Sequence, residues 1–387
     1  MNNQPSYKRR RITIREFGAI LAIILAITLA VLYFFNSNRI VSTTENTKGI
    51  QIANGGRDEY STVIKDGRYL TSEARGVTAT STGNQFNVTS FQNGLINISK
   101  SQFKPSSYIF QEGQYLSSST IQSWLDRYSN DQKNGLNPED DGKTDDSRNP
   151  IYLQSIEEQD FVNQDGNELK LEGMTIGLSM NTVDVYTKEE YGPTFEQEIS
   201  FDQMQKEGRK AAKKILERVR KLDNVSNDMP IMIAFYANQP PDSLVGGTFY
   251  EYVVSPSGNK MNEYKTIDSR NLVFPKLNED EDSFGNDDNA NFVNFKTEVQ
   301  NFFPNLSSVT GQAHYENGYL QGMNIEIITQ FYASTEMRAF ATYVAESAPK
   351  YLSANVPTRI VIKTSNNIQV ILTSDGGAYS IMYLDSY

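Results

Sequence analysis

The chain has 387 residues, with 36 Lys and Arg against 47 Asp and Glu, and a formal net charge of −11. Phosphate backbones demand concentrated positive charge, so this balance excludes a nucleic-acid partner. There is no cysteine, which excludes a thiol nucleophile, a thiolate metal site and a lipid-modified N-terminal cysteine.

The first element is an anchor. Lys8, Arg9, Arg10, Arg11 and Arg15 precede a run of 19 residues, Phe17 to Phe35, that carries no charge. As a helix this run reaches about 28 Å, the thickness of a bilayer's hydrocarbon core. The basic flank stays in the cytoplasm, and Tyr33, Phe34 and Phe35 fall where an interfacial aromatic belt belongs. A cleaved signal segment has a shorter apolar run, about 7 to 15 residues, and ends in a small-x-small site. This run is longer and leaves through bulky aromatics. The expectation is therefore an uncleaved single-span protein of the cell membrane that contacts the lipid bilayer through residues 17–35. Residues 1–16 lie inside and the body lies outside.

Residues 36–58 are polar and read as a tether. The body then divides into a first repeat (59–277), an acidic linker (278–289) and a second repeat (290–387). The division rests on an internal repetition. Leu171-Glu-Gly-Met-Thr-Ile recurs as Leu320-Gln-Gly-Met-Asn-Ile, and each copy follows a turn, at Asp165-Gly166 and at Asn317-Gly318. Each is the second arm of a predicted hairpin, because Asp-Gly and Asn-Gly supply the positive φ that a tight turn needs.

An amphipathic helix follows in both copies. Met204, Ala211, Ala212, Ile215, Leu216, Val219 and Leu222 define the first, and Met337, Phe340, Ala341, Val344 and Tyr351 the second. Strands at Met229 to Phe235 and Val356 to Ile362 come next. Earlier helices are predicted around Phe91, Leu95 and Ile98, around Ile121, Trp124, Leu125 and Tyr128, and from Phe292 to Phe303. Ile368 to Thr373 and Ala378 to Leu384 flank Asp375-Gly376-Gly377 as a closing hairpin. The fold class is α+β: a transmembrane helix, then two tandem repeats, each an amphipathic helix packed on a mostly antiparallel sheet.

Chemistry is sparse. The one histidine, His314, reads as a surface residue of a strand, and a Ser-His-Asp or multi-His site has no second histidine to draw on. The loop from Asp280 begins like a calcium-binding loop, but Phe284 and Asn291 stand where ligands belong. Glu157 with Glu158, and Glu189 with Glu190, are the paired carboxylates that a cell-wall hydrolase would use, although adjacent acids on a strand face opposite ways. Lys206, Arg209, Lys210, Lys213, Lys214, Arg218, Arg220 and Lys221 make one helix strongly basic; it reads as a solvated face, with an anionic lipid or phosphate-bearing wall polymer as the functional alternative. No cofactor and no metal are called for.

Tyr108-Ile-Phe-Gln-Glu-Gly-Gln-Tyr-Leu116, followed by Thr120-Ile-Gln-Ser-Trp-Leu125, resembles the signature of the CamS family of bacterial sex-pheromone precursor proteins. The resemblance continues through Glu73-Ala-Arg-Gly76, Gly135-Leu-Asn-Pro138, Asn149-Pro-Ile-Tyr152, Tyr191-Gly-Pro193 and Phe302-Phe-Pro304, and covers about residues 60 to 375. It implies a surface protein of low-GC Gram-positive bacteria with two tandem repeats. It also implies that a short hydrophobic peptide, cut from the signal segment of some members, acts as a conjugation signal. It supplies no catalytic residues. The family's lipid-modified cysteine is missing here, which fits an uncleaved anchor and leaves the pheromone without its usual processing route.

The expected function is a non-enzymatic binding module at the cell surface, with a cell-wall polymer, a peptide or a surface protein as partner. Arg75, Gln111, Glu112, Gln114 and Trp124 are the candidate recognition residues: polar groups beside a lone tryptophan at a loop–helix junction. Their competing role is to pin that loop to the body. The alternatives are a pheromone precursor whose active part is the N-terminal segment, and the hydrolase above.

Overall fold

The computed structural model describes residues 49–56, 58–77, 84–166, 168–277, 282–302, 308–330, 333–365 and 367–384. The chain divides into two units, Met1–Gly49 and Ile50–Tyr387. The predicted membrane anchor, 17–35, lies outside the described residues, as does most of the tether. Among the described residues no helix is long and apolar enough to cross a membrane.

The body is α+β. In chain order its elements are β1 (Ile50–Ala53), β2 (Thr62–Lys65), β3 (Arg68–Tyr69), α1 (Gln85–Ser99), β4 (Ile109–Glu112), α2 (Ser118–Leu125), β5 (Leu153–Asp165), β6 (Glu168–Met180), β7 (Val183–Thr187), β8 (Thr194–Glu198), α3 (Phe201–Val219), β9 (Ile231–Ala237), β10 (Thr248–Ser255) and β11 (Lys265–Thr266). Then come β12 (Ser269–Phe274), α4 (Asn286–Phe302), β13 (Ser308–Glu316), β14 (Tyr319–Ile328), α5 (Ser334–Tyr351), β15 (Thr358–Lys363), β16 (Ile368–Ser374) and β17 (Ser380–Tyr383). The first sheet runs β1-β2-β4-β5-β6-β9-β10-β11 with β3 paired to β2, and the second runs β12-β13-β14-β15-β16-β17; β7 and β8 pair with each other.

Both predicted hairpins form, β5 with β6 and β13 with β14. Asn317 and Gly318 both take positive φ, 51° and 81°, the requirement of a tight two-residue turn. Each second arm is followed by a helix and then by a strand parallel to that arm: β6 by α3 and β9, β14 by α5 and β15. The sheets are mostly antiparallel, as expected, with parallel pairs at β2–β4, β6–β9 and β14–β15. A helix that returns along the sheet delivers the next strand in the same direction as the one before it. β12 precedes the acidic stretch yet pairs with β13 in the second sheet. The stretch itself is part helix, since α4 starts at Asn286 with Asp287 and Asp288 in its first turn, where the helix dipole favours acids. Before it, the Lys276 ammonium bonds the carbonyls of Asp282 and Phe284 and the side chain of Asn286. A lysine thus sits where a calcium loop would hold its ion.

The alternation of β6 explains how the first sheet is covered. Met174, Ile176, Leu178 and Met180 point to one face and pack with Met204, Ala211, Ile215 and Leu216 of α3 and with Trp124 of α2. The residues between them are small: Gly173, Thr175, Gly177 and Ser179. On that side α1 approaches closely, with Phe91 and Leu95 over Gly177 and the Phe103 ring over Gly173. Full burial of a side chain such as Phe91 or Leu95 contributes about 2–3 kcal/mol. The first sheet is therefore covered on both faces.

The second sheet is covered on one. Met323, Ile325 and Ile327 of β14 pack with Phe292, Phe295 and Val299 of α4 and with Phe340, Ala341 and Val344 of α5. The intervening residues are Gly322, Asn324, Glu326 and Ile328, and among the described residues no helix packs over them as α1 packs over the first sheet. The open face carries the candidate site.

Candidate functional site

The loop–helix junction singled out in the sequence is held by buried acids of β5. Gly113 passes so close to β5 that a Cβ there would meet Glu158 Cβ at 2.5 Å. Immediately after it, Glu158 accepts from the backbone N–H groups of Gln114 (3.2 Å), Tyr115 (2.9 Å) and Leu116 (2.7 Å). The Gln114 N–H is shared with Asp160 Oδ2 at 3.0 Å. Burial, and then the neighbouring Glu158, push the Asp160 carboxyl well above the usual range.

The five candidate residues separate. Gln114 is spent on the loop, its side-chain amide donating to the carbonyls of Thr71, Glu112 and Gly113. Gln111 is buried, and Trp124 is a core residue with the Arg218 guanidinium 5.2 Å from its ring centre. Arg75 and Glu112 do come together, at 3.7 Å, and Glu112 Oε2 accepts from the Ser72 N–H at 2.9 Å. These two line a cavity of about 170 Å³ between β5 and α1, with Tyr69, Gln92 and Glu157.

Glu157, which the sequence offered only as half of an adjacent carboxylate pair, also lines that cavity. As expected for neighbours on a strand, Glu157 faces α1 while Glu158 faces the 114–116 loop. Glu157 Oε2 is sealed from solvent and has no hydrogen-bond partner. Burial raises its pKa from 4.5 to about 7, offset in part by the Gln92 and Gln159 side chains. The other sequence pair, Glu189 and Glu190, is exposed in the connection between β7 and β8.

A larger site lies on the open face of the second sheet, where the first sheet's edge meets it. It has a volume of about 460 Å³ and is lined by Phe86, Ser90, Asn271, Gln312, His314, Asn324, Arg359 and Asp375, among others. Strand register places these groups in rows. Asn271, His314 and Gly322 are cross-strand partners on β12, β13 and β14. Alongside them Gln312, Asn324, Arg359 and Thr373 cross β13 to β16. A groove of about 690 Å³ continues past Val361 and Ile371 and shares Phe86, Gln312, Asn324 and Arg359.

The geometry of this cleft is fixed from the first sheet. Asn271 Nδ2 donates to the carbonyls of Gly246 (2.8 Å) and Gly247 (3.1 Å). Its Oδ1 is thereby turned to His314 Nδ1 at 2.7 Å, so His314 carries a proton on Nδ1, and its Nε2 lies 3.4 Å from Glu316 Oε1. Arg359 is exposed and makes no ion pair among the described residues. Phe86 stands at the rim, 44% exposed. Nothing in residue spacing marks these groups as a set. The one signal was the polar alternation Gly322-x-Asn324-x-Glu326 in β14, where β6 has the small residues Gly173, Thr175 and Gly177.

Comparison with known proteins returns one family. The description "CamS sex pheromone cAM373 precursor" matches residues 69–379. The crystal structure of a sex pheromone precursor from Lactobacillus salivarius subsp. salivarius UCC118 is 44% identical, covers 88% of this chain and all of its own, and superposes with a TM-score of 0.82. The C-terminal domain of the sex pheromone staph-cAM373 precursor from Staphylococcus aureus is 28% identical over 79% of this chain and 99% of its own, with a TM-score of 0.63. No curated protein matches the chain. A family description that spans most of the body, joined to a solved relative of the same fold that aligns over its whole length, shows that the chain belongs to the CamS family, described as CamS sex pheromone cAM373 precursor.

Proposed function

We propose that the folded body is a non-enzymatic recognition module, carried outside the cell membrane on residues 17–35, and that the cleft between the sheets is its ligand site. The observation that carries this reading is a cleft of about 460 Å³, within the range of small-molecule sites, with polar groups converging from five strands. Arg359 offers an exposed, planar guanidinium suited to a carboxylate. His314, Asn324, Gln312 and Ser90 offer partners for hydroxyl and amide groups, and the Phe86 ring offers an apolar edge. Together they fit an acidic amino sugar of the cell wall. Calorimetric titration of the full chain in detergent with N-acetylmuramic acid tests this. Binding that is lost in Arg359→Ala, and absent for N-acetylglucosamine, which lacks the carboxylate, is the expected result. Equal binding of both sugars by wild type and variant defeats the reading.

The asymmetry between the sheets is part of the same proposal. The two sheets are tandem repeats of one unit, supported by the order hairpin, helix, parallel strand, antiparallel strand in each. In the first repeat α1 has closed the face that the second keeps open.

A second reading has its own support: the relatives are named sex pheromone precursors. On that reading the N-terminal segment is released as a short hydrophobic peptide. The intact mass of the protein from its host's membranes separates the two. A mass for all 387 residues, less at most the initiator Met, fits the anchored module, and loss of the segment up to about residue 35 fits the precursor.

A further inference from the structure

The basic helix is not absorbed by the cleft. On α3, Met204, Gly208, Ala211, Ala212, Ile215, Leu216 and Val219 are all buried against the first sheet. The cations divide by what they already do. Arg209 is committed to Glu251, with Nη2 2.6 Å from Oε2. Arg220 is buried and donates to the carbonyls of Ser226 and Gly258, and Arg218 lies over Trp124 and donates to the Asn134 carbonyl. These three are structural. Lys206, Lys210, Lys213 and Lys214 are exposed on two consecutive turns, and among the described residues only Lys210 has an acidic partner, Glu207 at 3.0 Å. They border an open, shallow basin of about 580 Å³.

Four aligned lysines on a chain of net charge −11 form a local field opposite in sign to the whole. The shape of the surface selects among polyanions. A helix that lies in a membrane interface inserts an apolar face, and the apolar face of α3 is already used by the core. Its one exposed large apolar residue, Phe201, packs edge-on against Tyr250. No aromatic platform for stacked bases borders the row. What remains is a straight, solvated line of point charges, which suits a flexible linear chain of phosphates.

We infer that this face of α3 docks a phosphodiester polymer of the cell envelope, which holds the body within the wall independently of the cleft. The inference rests on the extracytoplasmic placement proposed above, not on the cleft's ligand.

The experiment is binding of delipidated poly(glycerol phosphate) to the full chain in detergent, measured between 50 and 200 mM salt. Four neutralised phosphates at a slope of about −0.7 each give a log–log salt slope of about −3, roughly a 50-fold loss of affinity across that range. The combined variant K206Q/K210Q/K213Q/K214Q loses binding, and the combined Lys→Arg variant keeps it. Absence of binding at 50 mM salt overturns the inference, as does undiminished binding by the Gln variant. Equal binding of polyglutamate removes the phosphate assignment. Attachment to phosphatidylglycerol vesicles without attachment to the polymer assigns the face to the membrane instead. The polymer assay reads α3 in solution, so failure of the extracytoplasmic reading shows separately, in the accessibility of the body to protease on intact cells.

Discussion

Glu158 and Asp160 lie on the same face of β5 and share one donor, the Gln114 N–H, at 3.2 and 3.0 Å. Two buried carboxyls this close do not both ionise. Glu158, which also accepts from Tyr115 and Leu116, keeps the charge, and Asp160 keeps the proton. The two positions should then respond differently to loss of charge. Asp160→Asn preserves a neutral donor and is expected to stay within about 1 kcal/mol of wild type. Glu158→Gln sets an amide against three N–H groups and is expected to lose about 3 kcal/mol. Urea unfolding at pH 7 compares them, and the assignment of the proton is wrong if Asp160→Asn is the more damaging change.

Glu157 makes stability depend on pH. Its pKa rises from 4.5 to about 7 on folding, so the native state binds the proton more tightly than the unfolded chain does. Stability is therefore highest below about 4.5, falls as pH rises toward 7, and stays reduced above it, by up to about 3 kcal/mol. Glu157→Gln should flatten this part of the profile and be the more stable protein at pH 8. Parallel profiles for the two proteins between pH 5 and 8 would contradict the buried, unpartnered state of Oε2.

Gly173 and Gly322 occupy the same place in the two Gly-Met motifs but have different neighbours. A Cβ on Gly173 would stand 2.1 Å from the Phe103 ring, whereas on Gly322 the nearest atom is the Pro357 carbonyl oxygen at 3.7 Å. Gly173→Ala is expected to destabilise by about 1–3 kcal/mol through overpacking. Gly322→Ala is expected to change stability by less than about 0.5 kcal/mol. Thermal unfolding of the two variants checks this. Similar losses would mean that the second sheet's face is covered after all.

Much of this fold was legible because its signals are local. The two turns, the helices of α3 and α5 and the closing hairpin follow from Asp-Gly, Asn-Gly and three- and four-residue apolar steps. The parallel strands were not legible, because a strand's direction is set by the connection that delivers it and not by its own residues. The place of β12 was missed for a similar reason: the acidic stretch after it resembles a linker, yet Lys276 and Asn289 fold it back, the Lys276 N–H donating to Asn289 Oδ1 at 2.9 Å.

The site was read less well than the fold. Trp124 drew attention by being unique, but a lone tryptophan on an apolar helix step goes to the core, and it did. Arg75 and Glu112 were two of five separate candidates, and only the structure brings them together, in the lining of a small cavity that Glu157 shares. The open cleft escaped because its residues come from β12 to β16 and from α1, and only register brings Asn271, His314 and Arg359 to one face.

His314 is the only histidine in the chain, and it stands in the cleft. Its imidazole therefore gives a single pair of proton resonances that report the site without assignment of the rest. Titrating the full chain in detergent with N-acetylmuramic acid should shift those resonances saturably, with a Kd of about 1 mM or tighter (roughly 4 kcal/mol of binding), and Arg359→Ala should abolish the shift. A histidine signal that stays unmoved up to saturating sugar would contradict the claim that this cleft is the binding site.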